Sequence, residues 1–241
     1  VVVDTDGALD DMRALSMILS GHEIRTLAIT GSHGTLYPGQ AAAKARALLA
    51  TYHHEGIPVG TGTRLDVPLP PWHTIAARQS WGDTPSGGPG TIISAVDLLR
   101  QTLEQYPDSV TLIALGSLKT YADWLKTVPA TQRRVRRIIW YNDHRIEEGF
   151  NHGLSPESYQ YIIQTGIPLE IVTGKGNQLH CDTAYLSALA SSRSRYARRV
   201  HELFSDTSLP DRVREHELWD DMVGLYLAVP ILFDHTTDGN Q

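Results

Sequence analysis

Four aspartates lie within eight positions at the start of the chain, directly after three valines: Asp4, Asp6, Asp10 and Asp11 in VVVDTDGALDD. Unit charges about 4 Å apart repel by about 4 kcal/mol at an effective dielectric constant of about 20, so carboxylates folded together need protons or a cation. A helix cap accounts for one aspartate but not for four. Oxygen ligands favour Ca²⁺ or Mg²⁺, and several carboxylates with carbonyls suit Ca²⁺ better. The stretch therefore predicts a Ca²⁺ site, with Mg²⁺ as the second choice.

A second acidic pair, Asp220 and Asp221, stands near the other end of the sequence in HELWDDMVGLYLAVPILF. The apolar residues that follow recur at the spacing of a buried helix, so the pair taken alone is typical of an acidic helix start. Taken with the first cluster, it supplies further carboxylates for the same ion. We therefore expect the two acidic segments to fold around one divalent cation.

The elements that must position these aspartates alternate along the chain, since short β-branched runs are followed by segments of helical period. This alternation predicts an α/β fold: an open, mostly parallel sheet of roughly six strands flanked by helices, in one domain over residues 1–241, with a C-terminal helical cluster. Ligands of such folds bind beyond the carboxyl ends of the strands, which is where the first strand delivers Asp4 and Asp6. The predicted strands are 1–3, 24–30, 57–59, 110–115, 135–141 and 169–172, and the predicted helices are 12–19, 41–52, 93–103, 118–125, 156–165, 183–191, 193–204 and 213–228.

The composition excludes several classes of partner and site. With a net charge of −6 and a pI near 6.0, the chain lacks the basic surface that nucleic-acid binding requires, so a small molecule is the expected partner. The single cysteine, Cys181, excludes an internal disulfide and a cysteine-built zinc site. No apolar run approaches the roughly 18 residues of a membrane span. Because the chain starts at Val1 without a methionine or a signal-type segment, we expect a missing upstream piece, and cytoplasmic, secreted and periplasmic locations stay open.

Residues 64–90 interrupt the alternation with a stretch rich in proline and glycine. Loops of this length inside a compact domain are usually functional or mobile. The stretch contains Trp72, His73 and Trp81, and we expect that these side chains either fold over a bound ligand as a lid or pack as an inert loop.

The sequence resembles a known enzyme family at four places. VVVDTDGALDDMRALSMIL looks like the N-terminal signature of the inosine-uridine type nucleoside hydrolases, an aspartate-x-aspartate strand end followed by a double aspartate that opens the first helix. LIALGSLKTYADWL, GFNHGLSPESYQYIIQTGIPLEIV and LWDDMVGLYLAVP resemble later blocks of that family in the same order. The likeness runs from Val1 to Pro230 and so covers nearly the whole chain.

This resemblance implies an N-ribohydrolase that splits purine or pyrimidine ribonucleosides into base and ribose, as in nucleoside salvage. It implies that Asp6 is the general base for the attacking water, and that Asp4 orients its neighbours. The family commonly self-associates, so a homo-oligomer is expected. The implied Ca²⁺ ligands are Asp6, Asp11, Asp220 and the backbone carbonyl of Leu115, and the implied ribose contacts are Asp10 and Asn151.

The chain departs from the family pattern in four places, one of which is Gly7-Ala8 where the family usually has Pro-Gly. Trp219 stands where many members have a histidine before the late aspartate, and we expect it to stack on the departing base or to pack as an ordinary aromatic residue. Gly149 replaces the usual glutamate before Phe-Asn, leaving Glu148, one place away, as the candidate sugar contact. The loop TGSHGTLYPG lacks the usual Gly-Asn, with His33 or Thr35 as candidate replacements.

These motifs do not identify a proton donor for the leaving base. His152, next to Asn151, is the candidate catalytic acid, because an imidazole titrates near neutral pH. His73 and His216 are alternatives, although surface positions are the simpler interpretation for both.

Two other functions remain open. DTDGAL also resembles the first motif of haloacid-dehalogenase-type Mg²⁺-dependent phosphatases, in which Asp4 would be the nucleophile, with Ser117 and Lys175 in supporting roles. The phosphatase interpretation assigns no role to Asp10 and Asp11. The departures at Gly149 and Trp219 also suit a non-catalytic, Ca²⁺-dependent nucleoside or sugar binder.

Overall fold

The computed structural model describes residues 1–82, 93–106, 110–174, 180–205 and 218–236. Its centre is a seven-stranded sheet in which every pair of neighbouring strands is parallel. The α/β fold class and the parallel sheet are thus confirmed. The strands are β1 (Val2–Thr5), β2 (Ala28–Gly31), β3 (Val59–Thr61), β4 (Ile93–Ser94), β5 (Val110–Ala114), β6 (Val135–Tyr141) and β7 (Leu169–Val172).

Helices cover both faces of the sheet, as expected for parallel strands joined by crossover connections. Short 3₁₀ turns occur at Pro129–Arg134, Ile146–Glu148 and Pro230–Leu232. Within the described ranges, no helix is both long and apolar enough to cross a membrane. The helices are α1 (Leu9–Ser20), α2 (Pro38–Thr51), α3 (His73–Arg78), α4 (Ala95–Gln105), α5 (Lys119–Thr127), α6 (Phe150–Leu154), α7 (Pro156–Gln164), α8 (Thr183–Ser191), α9 (Arg195–Phe204) and α10 (Asp221–Ala228).

The core consists of two apolar layers, one on each face of the sheet. Val3 of β1 belongs to the layer that also holds residues of α1, α2, α9 and α10, whereas Val2 belongs to the layer with α4 and α5. Successive side chains of a strand point to opposite faces, so a strand buried on both sides needs apolar residues throughout. This requirement explains why β1 begins with consecutive valines and becomes polar only at its carboxyl end.

The strand order is β4-β3-β2-β1-β5-β6-β7, so β1 lies in the middle of the sheet. The chain adds β2, β3 and β4 on one side of β1 and then adds β5, β6 and β7 on the other. Val2 of β1 accordingly pairs with Ala28 of β2 and with Leu112 of β5. A crevice forms where the winding direction reverses, and in open α/β sheets this is the usual place for a ligand.

Several element predictions differ from the structure: β2 begins at Ala28 and not at residue 24, the helices α3 and α6 were not predicted, and two predicted helices begin later than expected. The predicted helix 93–103 begins with strand β4, because Ile93 pairs with Gly60, and Ser94 then caps α4 by accepting a hydrogen bond from the backbone N–H of Asp97. The predicted helix 213–228 is described only from residue 218, and there the helix begins at Asp221. Residues 213–217 lie outside the described residues. The predicted helix 183–191 is confirmed as α8.

Candidate active site

A cavity of about 800 Å³ opens at the carboxyl ends of the central strands, in the crevice between β1 and β5. Its volume falls in the range of pockets that hold small-molecule ligands. Residues from the two ends of the chain meet in it, as the two acidic segments were expected to do. The described residues that line it include Asp6, Asp10, Asp11, Thr35, Trp72, Leu115, Tyr141, Asn142, Asp143, Phe150, Asn151, Trp219 and Asp220.

The turn after β1 holds Asp11 in a fixed place. Its Oδ1 accepts hydrogen bonds from the Thr5 hydroxyl at 2.6 Å and from the backbone N–H of Asp6 at 2.8 Å. Gly7 turns the chain into α1 with φ +81°, a conformation that favours glycine. Asp10 and Asp11 therefore stand in the first turn of α1, where the helix dipole favours carboxylates.

Three carboxyl groups converge on one point of the cavity. Asp10, Asp11 and Asp220 each offer an oxygen, and these oxygens lie within 4.8 Å of one another. Asp11 and Asp220 are buried, and Oδ1 of Asp220 has no hydrogen-bond partner. An all-oxygen donor set with an unpartnered buried carboxylate oxygen fits a hard divalent cation of the Ca²⁺ or Mg²⁺ type.

Burial and mutual repulsion control the protonation of these groups. Burial, followed by the charge of Asp11, raises the pKa of Asp6 and of Asp220 well above its usual value. The same two causes raise the pKa of Asp10 to about 7. Burial also raises the pKa of Asp11, against a hydrogen bond from Asp220 that lowers it. Bound protons and a bound cation are therefore alternative ways to neutralise this cluster.

Asp6 lines the cavity but does not belong to the triad of converging carboxyls. Its Oδ1 accepts from the backbone N–H of Ala8 at 3.2 Å, and the backbone of Thr35 also donates to its carboxylate. The carboxylate packs against Gly34, where an added Cβ would overlap it. Asp6 is thus held by the β2–α2 loop, beside the triad and facing the same space.

The opposite wall of the cavity is built around Asn151 from α6. Its Nδ2 donates to the Leu115 carbonyl at 2.7 Å and to the Tyr141 carbonyl at 3.1 Å. A carbonyl oxygen has two lone pairs, so Leu115 can still accept a second partner or a metal ion. The amide of Asn151 therefore ties the exits of β5 and β6 together at the edge of the cavity.

Packing against Asn142 explains why position 149 is a glycine. A Cβ at Gly149 would overlap the carboxamide of Asn142, so no larger side chain fits there unless Asn142 moves. Asn142 in turn accepts from the backbone N–H of His152 at 3.2 Å and donates to the Ile146 carbonyl at 2.9 Å. Glu148, the expected sugar contact, forms an exposed ion pair with Arg145 at 2.8 Å and is not among the described lining residues.

The structure places three other predicted residues behind the cavity wall. His33 is buried, packs edge-on against Tyr37 and accepts from the backbone of Leu65, whereas Thr35 from the same loop does line the cavity. His152 is buried and packs edge-on against the ring of Tyr159. Asp4 is fully buried and accepts from the hydroxyl of Thr30 at 2.5 Å.

Aromatic side chains surround the mouth of the cavity. The sequence identified the two tryptophans among them as candidates but not the phenylalanine. Trp72, Phe150 and Trp219 all line the cavity, and each is about two fifths to one half exposed. Trp72 approaches Phe150 with 5.3 Å between ring centroids, and its Nε1 donates to Oγ1 of Thr35 at 3.2 Å. Trp81, the other tryptophan of the predicted lid, is buried in the core. Phe150 was not identified as a site residue, because a single aromatic residue beside Asn151 carries no periodic or charge signal.

A buried ion pair lies directly behind the triad. Arg13 donates to both carboxylate oxygens of Asp221, from Nε at 2.8 Å and from a terminal nitrogen at 2.7 Å. Burial by itself would lower the pKa of the Arg13 guanidinium, but the charge and hydrogen bonds of Asp221 outweigh burial and raise it. The guanidinium also lies 4.7 Å from the ring centre of Phe204. Because Arg13 follows Asp11 by two residues and Asp221 directly follows Asp220, the pair joins the two segments that carry the triad.

Both the sequence and the structure of the chain are similar to those of nucleoside hydrolases. The family model described as "Inosine-uridine preferring nucleoside hydrolase" matches residues 1–229. A pyrimidine-specific ribonucleoside hydrolase RihA from Enterobacter sp. (strain 638) is 23% identical over 97% of this chain and 80% of its own length. The RihA of Citrobacter koseri is 26% identical over 76% of this chain, which spans only 63% of that relative. The solved plant nucleoside hydrolase PpNRh1 superposes with a TM-score of 0.81 at 22% identity, covering 97% of this chain and 79% of that one.

Proposed function

The chain belongs to the inosine-uridine preferring nucleoside hydrolase family, and from this premise we propose that it hydrolyses the N-glycosidic bond of a ribonucleoside, releasing the base and ribose. The observation that supports the proposal is the meeting of two acidic segments from opposite ends of the chain in one cavity. Asp10, Asp11 and Asp220 converge there, and Asn151 stands on the other wall. Asp4 does not line this cavity, which argues against its use as a phosphatase nucleophile.

We further propose that the carboxylates hold a Ca²⁺ ion. Asp11, Asp220, Asp6 and the Leu115 carbonyl would bind it, with Asp10 at the same point. When bound, such an ion supplies a positive charge that orients the two ribose hydroxyls and lowers the pKa of a water molecule. Ca²⁺ is preferred to Mg²⁺ because it accepts more oxygen ligands in a less regular arrangement.

The protein's own groups perform the remaining steps. The carboxylate of Asp10 and Oδ1 of Asn151 accept hydrogen bonds from the ribose hydroxyls, since both N–H groups of the Asn151 amide already donate to the Leu115 and Tyr141 carbonyls. These hydrogen bonds fix the sugar relative to the attacking water. Asp6 takes the proton of that water as its oxygen bonds to the anomeric carbon. The C–N bond breaks at the same time, and its electron pair leaves with the base. Positive charge that develops on the sugar ring faces the buried carboxylates, which stabilise it.

Ribose release is the direct test. Purified protein is incubated with a panel of purine and pyrimidine ribonucleosides, and reducing sugar is measured with Ca²⁺ and with a chelator. We expect release with Ca²⁺, loss with chelator, and recovery when Ca²⁺ is returned in excess. Binding of a nucleoside without any release of ribose would instead establish a non-catalytic binder, and phosphate release from a phosphomonoester without ribose would indicate the phosphatase.

Variants of Asp6 and Asp220 separate metal binding from catalysis. Asp6→Asn keeps an oxygen ligand and loses the base, so kcat falls by roughly 100-fold or more while Ca²⁺ still binds. Asp220→Ala should lose Ca²⁺ binding as well as activity. A fully active Asp6→Asn protein would refute the base assignment.

A further inference from the structure

The mouth and the floor of the cavity differ in chemistry. Asp11 and Asp220 are buried on the floor, whereas Trp72, Phe150 and Trp219 are 48%, 39% and 42% exposed. Large aromatic side chains that stay partly exposed around one opening offer flat apolar faces to a ligand. Because the sugar belongs at the carboxylates in the proposed function, the base of the substrate belongs among these rings.

The cavity is also strongly acidic. Five carboxyl side chains line it, those of Asp6, Asp10, Asp11, Asp143 and Asp220, and none of the described lining residues is a lysine, arginine or histidine. One divalent cation would offset only part of this charge. A cavity lined by charges of one sign attracts ligands of the other sign, and the face of a tryptophan adds a further attraction for a cation.

The described mouth of the cavity offers little to protonate a leaving base. The Trp219 indole does not release a proton at neutral pH, and the phenol of Tyr141 is a weak acid. Asp143 already accepts from the backbone N–H of Arg145 and from the ring of His144. None of the described residues at the mouth is therefore placed to protonate a leaving base, so with these groups alone a neutral purine or pyrimidine would depart as an anion, into a field of carboxylates.

Building on the proposed function, we propose that the preferred substrates are ribonucleosides whose heteroaromatic base carries a fixed positive charge, such as pyridinium or N7-alkylated purine ribosides. In their hydrolysis the C–N bond breaks with its electron pair moving to the ring nitrogen, which neutralises the base. The water oxygen bonds to the anomeric carbon and its proton passes to Asp6. The base then leaves as a neutral molecule and needs no acid, while its positive charge is attracted by the acidic, tryptophan-lined mouth.

Three ribosides test this inference with the full chain and Ca²⁺. Inosine and N7-methylinosine differ by one methyl group and one charge, and 4-nitrophenyl β-D-ribofuranoside is flat, uncharged and reactive without an acid. Release of ribose is measured for each, and the spontaneous release is subtracted. We expect kcat/KM for N7-methylinosine to exceed that of inosine by about 100-fold or more, the usual contribution of a general acid. We also expect its KM to be the lowest of the three and to rise with salt, unlike that of the nitrophenyl riboside.

Variants of the aromatic mouth provide the second measurement. Trp219→Leu and Trp72→Leu should raise KM for N7-methylinosine by roughly 5-fold or more, because a cation over an aromatic face contributes about 1 kcal/mol. Trp219→Phe and Trp72→Phe, the matched controls, should retain most of the affinity. Trp219→His should speed inosine hydrolysis more than hydrolysis of the cationic substrate.

The outcomes distinguish this inference from the proposed function. Equal corrected kcat/KM values for inosine and N7-methylinosine would overturn the inference and leave the hydrolase intact. Equal values for N7-methylinosine and the nitrophenyl riboside, with no effect of salt, would show that reactivity alone matters and would overturn the role of the charge. Release of ribose from none of the three would overturn the proposed function itself.

Discussion

The buried pair of Arg13 and Asp221 makes a quantitative prediction about how the site is held together. Both side chains are essentially inaccessible to solvent, and they join by two hydrogen bonds. Replacing Arg13 with methionine keeps much of the apolar volume but leaves the Asp221 carboxylate buried and uncompensated. Breaking one partner of a buried pair costs about 3–5 kcal/mol, which corresponds to a fall in Tm of roughly 6–20 °C in a domain of this size.

The assay is thermal and urea unfolding followed by circular dichroism, with chelator and with Ca²⁺. The matched control is Arg100→Met, because Arg100 forms an exposed ion pair with Glu104 at 3.5 Å. This variant should lose less than about 1 kcal/mol of unfolding free energy. The double variant Arg13→Met with Asp221→Leu should regain most of the lost stability, since apolar residues often replace a buried pair without loss. A cost for Arg13→Met as small as that for Arg100→Met would refute the reasoning.

Further predictions concern the carboxylates and their support. Asp220→Asn should weaken Ca²⁺ binding at least 10-fold by calorimetry, because it removes one charge from the triad. The chelated protein should lose stability as the pH rises from about 4 to about 7: burial raises the pKa of Asp4 to about 7, so over this range the folded state keeps a proton that the unfolded state releases above about pH 4. Asp4→Asn should reduce that fall, and an unchanged pH profile would contradict it. Gly34→Ala should lower kcat at least 10-fold, because its methyl group displaces the Asp6 carboxylate, whereas Gly39→Ala, with open space around it, should leave kcat unchanged.

Much of the fold follows from local pattern. The β-branched runs and the helical periods predicted the parallel sheet, and the strand that ends before Asp6 lies at its centre. The strand β4 escaped prediction because two residues, Ile93 and Ser94, are too short for a periodic signal next to a long helix. Its pairing depends on the neighbouring strand β3, which local sequence does not encode.

The parts of the site in which like charges are concentrated could be predicted from the sequence. The contacts between residues that lie far apart in the sequence could not. The cluster around Asp11 and the pair at Asp220 stood out, because repulsion makes such groupings costly without a cation. The partnership of Arg13 and Asp221 spans 208 residues, so nothing in either segment reveals it. The positions of Glu148 and His152 outside the described lining depend on the turn around Gly149, which brings Asn142 against the backbone.

The separation of the acidic segments along the chain has a consequence for biosynthesis. Synthesis runs from the amino terminus, so the segment that ends at Asp11 is made long before the one that begins at Asp220. The sheet can form while translation continues, but the last carboxylate of the triad is still missing. On the proposed assignment of the metal ligands, a nascent chain would bind calcium tightly only after Asp220 has been synthesised, so ion capture would report that the two acidic segments have come together.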